Sequence, residues 1–160
     1  MLRSDISFGF ECEGWITDTD GRFVLSVPAR YPRDAMGDLT EIRSLWYPDP
    51  GATLASFVTK REELSKLLKR DKLTLVIRDE VPESYSRTAG FHIHFSRPDG
   101  KQMDIPKMMA TLARRFEGTM RPLGIPPEAY RMKPYGWEWR RLPASVDPEL
   151  VARVLREEFC

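Results

Sequence analysis

The sequence predicts an α+β domain: a mainly antiparallel sheet of about six strands with helices packed on one face. Three observations predict it. Turn chemistry joins neighbouring strands into a hairpin. Long segments with a 3.6-residue apolar period begin at an aspartate followed by proline. The element order, ββ-β-α-β-β-α-β-α, inserts helices between strands and does not alternate regularly, as a parallel βαβ fold would.

Each element follows from local chemistry. Residues 6–16 read as a first strand. Asp18-Thr19-Asp20-Gly21 is a turn, and residues 22–27 return as a second strand. Pro32 and Gly37 break residues 31–38 into a polar loop, and residues 40–46 form a third strand. Residues 30–38 are long and polar enough for a substrate loop, although an ordinary surface loop explains them too. Asp49 caps the first helix and Pro50 occupies its first position. Leu54, Phe57, Val58, Leu64, Leu67 and Leu68 form its apolar stripe, and Lys60, Arg61, Glu62, Glu63, Lys66, Lys69 and Arg70 its solvated face. Residues 73–78 are a fourth strand and residues 91–96 a fifth, joined by a polar loop over 79–90 that is a candidate lid. After the turn at Pro98-Asp99-Gly100, Asp104 and Pro106 start a second helix that runs to about Met120. Residues 122–134 read as irregular, with one helical turn near Glu128, and residues 136–142 as the sixth strand. Asp147 and Pro148 open a last helix striped by Leu150, Val151, Val154 and Leu155.

The 160 residues read as one domain, 1–160. A net charge of +1 gives no argument for nucleic acid or an anionic membrane as a partner. No apolar run approaches the ~20 residues of a membrane span. The first residues, Met1-Leu2-Arg3-Ser4-Asp5, lack a signal-peptide core, which together with only two cysteines leads to an expected cytoplasmic location. Cys12, between two acids, is expected to be a buried structural thiol; a nucleophile is the alternative.

The chemistry sits in four polar pairs on apolar ground: Glu11-Cys12-Glu13, Glu41-Ile42-Arg43, His92-Ile93-His94 and Glu138-Trp139-Arg140. In a strand, residues i and i+2 share a face, so each pair would stand on one sheet surface. Two carboxylates ~4 Å apart repel by about 4 kcal/mol at an effective dielectric of ~20. Glu11, Glu13, Glu41 and Glu138 therefore need protons or cations if they share a face. A carboxylate-rich set with one or two imidazoles suits Mg²⁺ or Mn²⁺. Arg43 and Arg140 have the wrong sign for a cation and fit an anionic ligand such as a phosphate. Carboxylates, metal and arginine together are the equipment of phosphoryl transfer. Taken singly, each pair is also an ordinary solvated face or surface ion pair; their coincidence in one small domain favours a site.

Gly9-Phe10-Glu11-Cys12-Glu13, Glu41-Ile42-Arg43-Ser44, Gly90-Phe91-His92-Ile93-His94-Phe95 and Glu138-Trp139-Arg140-Arg141-Leu142-Pro143 resemble, in this order, the motifs of the carboxylate–amine ligase (amidoligase) family in its phage and prophage branch. That family is distantly related to glutamine synthetase and γ-glutamylcysteine ligase. The resemblance implies a glutamine-synthetase-like catalytic sheet and an ATP- and Mg²⁺-dependent enzyme, possible also with Mn²⁺, that activates a carboxylate as an acyl phosphate and joins it to an amine. It implies Glu11, Glu13, Glu41, His92 and Glu138 as metal ligands, and Arg140 on the transferring phosphate. It places His94 near the phosphates or substrate and Arg43 at a substrate carboxylate or phosphate. Arg87 and Lys101 are further candidates for nucleotide or substrate contacts. The implied substrates are small-molecule or peptide carboxylates and amines. A homo-oligomer, with a second subunit completing the site, is a possible assembly, and a phage origin would put the protein in the host cytoplasm.

Two other functions compete. One is a hydrolase or oxygenase with a single zinc or iron held by His92, His94 and an acid. The other is a non-catalytic ligase-fold protein of phage origin that binds a nucleotide or partner.

Overall fold

Alternation along one long strand sets both faces of the sheet. In β1 (Ser7–Thr17), Phe8, Phe10 and Cys12 are buried on one side, and Gly9, Glu11 and Glu13 point to the other. The computed structural model describes residues 5–79, 88–99, 101–120 and 130–160. Within them, β2 (Thr40–Arg43), β1, β4 (Gly90–Ser96), β6 (Gly136–Pro143) and β5 (Tyr130–Lys133) lie side by side in that order. β3 (Thr74–Val76) pairs with the end of β1. Every pairing is antiparallel, as the sequence predicts.

Three helices cover the apolar face. They are α1 (Pro50–Arg70), α2 (Ile105–Arg115) and α3 (Pro148–Phe159). Phe57 of α1 packs its ring against Phe10 and Phe91, Phe159 of α3 meets Phe95, and Phe116 at the end of α2 meets Trp139. Each helix begins as the sequence suggests. Asp49, Asp104 and Asp147 are the N-caps, and each carboxylate accepts a backbone N–H of the first turn. Phe95 and Trp137 stack at 4.5 Å between ring centroids in the middle of the sheet. Burying such rings supplies most of the driving force, roughly 25 cal/mol per Å² of apolar surface.

Several elements differ from expectation. Residues 22–27 are not a strand: only a bridge between Thr17 and Phe23 forms, and Val27 donates its N–H to Gly37 instead. Leu25 and Ser26 are exposed there, so no second sheet position rewards extension. In their place Tyr130–Lys133, expected to be irregular, pairs with β6 as an edge strand. The third and fourth strands are also shorter than predicted. β2 ends at Arg43 because Ser44 accepts the Phe10 N–H on its side-chain hydroxyl, at 2.8 Å, so its side chain enters the ladder. The second helix stops at Arg115, with turns over 116–119. The helical turn expected near Glu128, most of the 79–90 loop, and Arg87 lie outside the described residues. Among the described residues no helix is long and apolar enough to cross a membrane.

Candidate functional site: the polar face of the sheet

Register brings the four pairs together. Glu11 sits opposite Arg43 on β2 and opposite His92 on β4; Glu13 sits opposite Glu41; His94 lies between Gly9 of β1 and Glu138 of β6. Eight side chains from four adjacent strands thus share the face that the helices leave uncovered. Near Arg140 the β6 ladder slips by one residue: Ile93 pairs with Trp139, but Phe91 pairs with Leu142. This bulge keeps Leu142 on the apolar face while Glu138 and Arg140 stay on the polar one.

The centre is a buried charge cluster. The His92 Nδ1 lies 3.1 Å from a Glu11 oxygen and 3.0 Å from a Glu138 oxygen, and its Nε2 lies 3.8 Å from Glu13. His94 Nε2 is 3.4 Å from the second Glu11 oxygen, and its Nδ1 shares a 2.6 Å hydrogen bond with the Tyr135 hydroxyl. Arg140 donates to Glu138 at 2.8 Å, and Lys133 Nζ lies 3.2 Å from the other Glu138 oxygen. Arg43 bridges Glu11, at 3.3 Å, and Glu41. Glu13 accepts the Gly90 N–H at 3.0 Å.

Proton affinities follow from this wiring. Burial alone would raise the Glu11 carboxyl, but the His92 hydrogen bond and the close positive fields of His92 and His94 outweigh it and hold the group far below the usual carboxylate range. The same contest, with His92 and Arg140 winning over burial, brings Glu138 down to about 2. Burial opposes the charged form of His92, yet its bonds to Glu11 and Glu138 and the charge of Glu13 push its pKa up. Glu41 goes the other way, to about 7, because burial and the neighbouring Glu11 charge together exceed the help from Arg43. Burial pushes the Tyr135 hydroxyl up to about 12. It does the same for the Cys12 thiol, which is buried on the helix side, as expected.

The donor set fits a divalent cation. Glu11, His94 and Glu138 each offer a ligand atom, and these atoms lie within 4.8 Å of one another. His94 Nε2 and Glu138 Oε2 are buried and lack an aligned hydrogen bond; the charged neighbours at 3.4 and 3.2 Å are contacts without hydrogen-bond geometry. Two carboxylates and one imidazole with such unmet atoms are suited to a hard or borderline metal ion. His92 occupies the space between the acids Glu11, Glu13 and Glu138.

A cavity of about 250 Å³ opens above the cluster, lined by Glu11, Arg43, Ser44, Trp46, His94 and Tyr135 among others. The sequence reading missed Trp46, Lys133 and Tyr135. Trp46 lies flat on β1 because residue 9 is glycine: a Cβ there would stand 2.5 Å from the indole. Tyr135 meets Trp46 edge to face at 4.7 Å. The available signals were Gly9 beside a strand acid and a Lys-Pro-Tyr-Gly turn before the Glu138 motif. Lys101 is not in the cluster; it pairs with Asp99 at 3.3 Å and lines a second hollow.

No protein-family model matches this chain, and no curated protein matches it.

Proposed function

We propose that the protein is an ATP- and Mg²⁺-dependent carboxylate–amine ligase that forms an amide or isopeptide bond through an acyl phosphate. One observation carries this reading. Carboxylates, imidazoles and arginines from the four segments that resemble amidoligase motifs, on β2, β1, β4 and β6, converge on one sheet face. Glu11, His94 and Glu138, with Glu13, Glu41 and His92 around them, would hold the metal. A bound Mg²⁺ supplies positive charge against the nucleotide phosphates.

The chain's own groups then have defined tasks. Arg43, the arginine that lines the cavity, holds the substrate carboxylate. One carboxylate oxygen attacks the γ-phosphorus of ATP, the bond to the bridging oxygen breaks, and ADP leaves. Arg140, fixed by Glu138, stabilises the charge on the transferring group. The amine nitrogen attacks the acyl carbon, inorganic phosphate leaves, and the nitrogen loses a proton. The departing inorganic phosphate takes up that proton. Trp46 and Tyr135 shield the acyl phosphate from water. The proposed compartment is the cytoplasm, that of the host if the protein is phage-encoded.

A second reading rests on the Glu11–His94–Glu138 triad, which also fits a single-metal hydrolase or oxygenase. Metal content separates the two: a hydrolase or oxygenase purifies with stoichiometric zinc or iron, whereas a ligase takes up Mg²⁺ with ATP. The decisive experiment is calorimetric titration of ATP with and without Mg²⁺ into the wild type and Glu138→Ala. Mg²⁺-dependent binding that the variant loses supports the ligase; absence of binding to the wild type overturns it.

A further inference from the structure

The two histidines of the cluster have different partners. His92 has acids at both ring nitrogens, Glu11 and Glu138 at Nδ1 and Glu13 at Nε2. His94 has a neutral partner at Nδ1, the Tyr135 hydroxyl at 2.6 Å. Its Nε2 is buried, lies 3.4 Å from Glu11 and has no hydrogen-bond partner among the described residues. A neutral imidazole carries one N–H and one lone pair, and the hydrogen bond at one nitrogen decides which of the two keeps the lone pair. Only the lone-pair nitrogen binds a metal ion. His94 is therefore the histidine with a nitrogen open to one, and its partner at Nδ1 decides whether that nitrogen is ready.

The fold brings Tyr135 to this place and holds it there. Pro134 and Tyr135 form a two-residue turn between Lys133 and Gly136, which pair across β5 and β6. A Cβ on residue 136 would collide with the Phe95 carbonyl oxygen, so glycine lets the start of β6 lie close on β4, the strand that carries His94. Trp46 completes the holder, with its ring centroid 5.3 Å from that of His94 and 4.7 Å from that of Tyr135. The imidazole is thus tied at one nitrogen and packed along its ring. Its other nitrogen is left for the site where Glu11, His94 and Glu138 offer ligand atoms within 4.8 Å of one another.

We propose that Tyr135 is a positioning residue for the metal site: its hydroxyl oxygen accepts the Nδ1–H of His94 and so leaves Nε2 as the metal-binding nitrogen. This rests on the metal site of the ligase reading. A neutral phenol suits the task. A carboxylate, the commoner partner of a ligating histidine, would add to the repulsion among Glu11, Glu13 and Glu138, whereas a phenol fixes the ring without adding charge. Burial keeps the Tyr135 hydroxyl protonated, with its pKa pushed up to about 12. Having accepted from His94, it still has a proton to donate to a ligand in the cavity it lines.

The test measures Mn²⁺ binding, from the EPR signal of the free ion, to the wild type, Tyr135→Phe and Glu138→Gln. It is paired with NMR spectra of isotope-labelled histidine in the Zn²⁺-loaded wild type and Tyr135→Phe. The chain has two histidines, and the His94 signals are assigned by their loss in His94→Ala. Phenylalanine keeps a ring against Trp46 and removes only the hydroxyl. Tyr135→Phe is expected to weaken Mn²⁺ binding about 10- to 100-fold. The His94 Nδ1 proton, protected from exchange with water in the wild type, should vanish from the spectrum of that variant. If Tyr135 only packs, phenylalanine replaces it, neither readout moves and the inference is overturned. Weaker binding with the Nδ1 proton still protected overturns it as well. In both cases loss of Mn²⁺ binding in Glu138→Gln leaves the metal site standing. If the wild type and Glu138→Gln bind Mn²⁺ alike, the metal site is not here and both readings fail.

Discussion

Glu41 on β2 and Glu138 on β6, with two strands between them, shift in proton affinity in opposite directions. Glu138, pulled to about 2 by His92 and Arg140, stabilises the fold wherever it is ionised. Its contribution is present above its unfolded value near 4.5 and is lost as the pH falls through the folded value of about 2. Glu41 has the opposite sign. Its folded value of about 7 exceeds its unfolded value of 4.5, so it costs stability as the pH rises from 4.5 and the cost is complete above 7. After discounting for solvent screening, that cost is about 1–2 kcal/mol at pH 8. Glu41→Gln is therefore expected to raise the unfolding midpoint in EDTA at pH 8 and leave it nearly unchanged at pH 4, measured by thermal melts. His92 follows a third course: its raised value adds stability below the unfolded value of 6.5, lost as the pH rises through the folded one. Gly9 makes a steric prediction. Gly9→Ala puts a methyl into the Trp46 indole and is expected to cost about 1–3 kcal/mol in urea unfolding. The cost should fall in a Trp46→Ala background, because the clash then has no partner.

At the level of elements, Ser44 and the β6 bulge show how regular pairing is broken to aim side chains. The Ser44 hydroxyl takes the buried Phe10 N–H in place of a carbonyl. Ser44→Ala leaves that donor unpaired and is expected to cost about 1–3 kcal/mol, read from urea denaturation. The elements most legible in the sequence were those with two agreeing signals. α1 had an Asp-Pro start and a 3.6-residue stripe, and β4 had apolar alternation around two histidines. The failures have one cause. Residues 22–27 look like a strand locally, yet pairing is a long-range matter, and their neighbour Thr17 offers one bridge only. Tyr130–Lys133 looks irregular because it is four residues long and runs straight into Pro134; as an edge strand it needs only one partner, β6. The cluster was legible because period-2 spacing fixes the face. Lys133, Tyr135 and Trp46 were not, since turns and strand ends have no period to reveal where they return.

For the whole molecule, the sheet divides labour between its faces. One is sealed by Phe57, Phe116 and Phe159 from three helices, and the other keeps acids, imidazoles and arginines close enough to need one another. Such an arrangement stores repulsion that ligands relieve. Binding of MgATP at 100 times its Kd is expected to add about 2.7 kcal/mol, seen as a rise in the thermal midpoint. In Glu138→Ala that rise should disappear.

Of the four tryptophans, Trp15, Trp137 and Trp139 are almost wholly buried and only Trp46 reaches solvent, at 37% exposure. The molecule thus carries its own optical reporter. Trp46 should account for the red-shifted part of the intrinsic emission and for nearly all quenching by acrylamide. A compound that enters the cavity beside His94 should shield it, which makes unlabelled protein suitable for screening pools of carboxylates and amines.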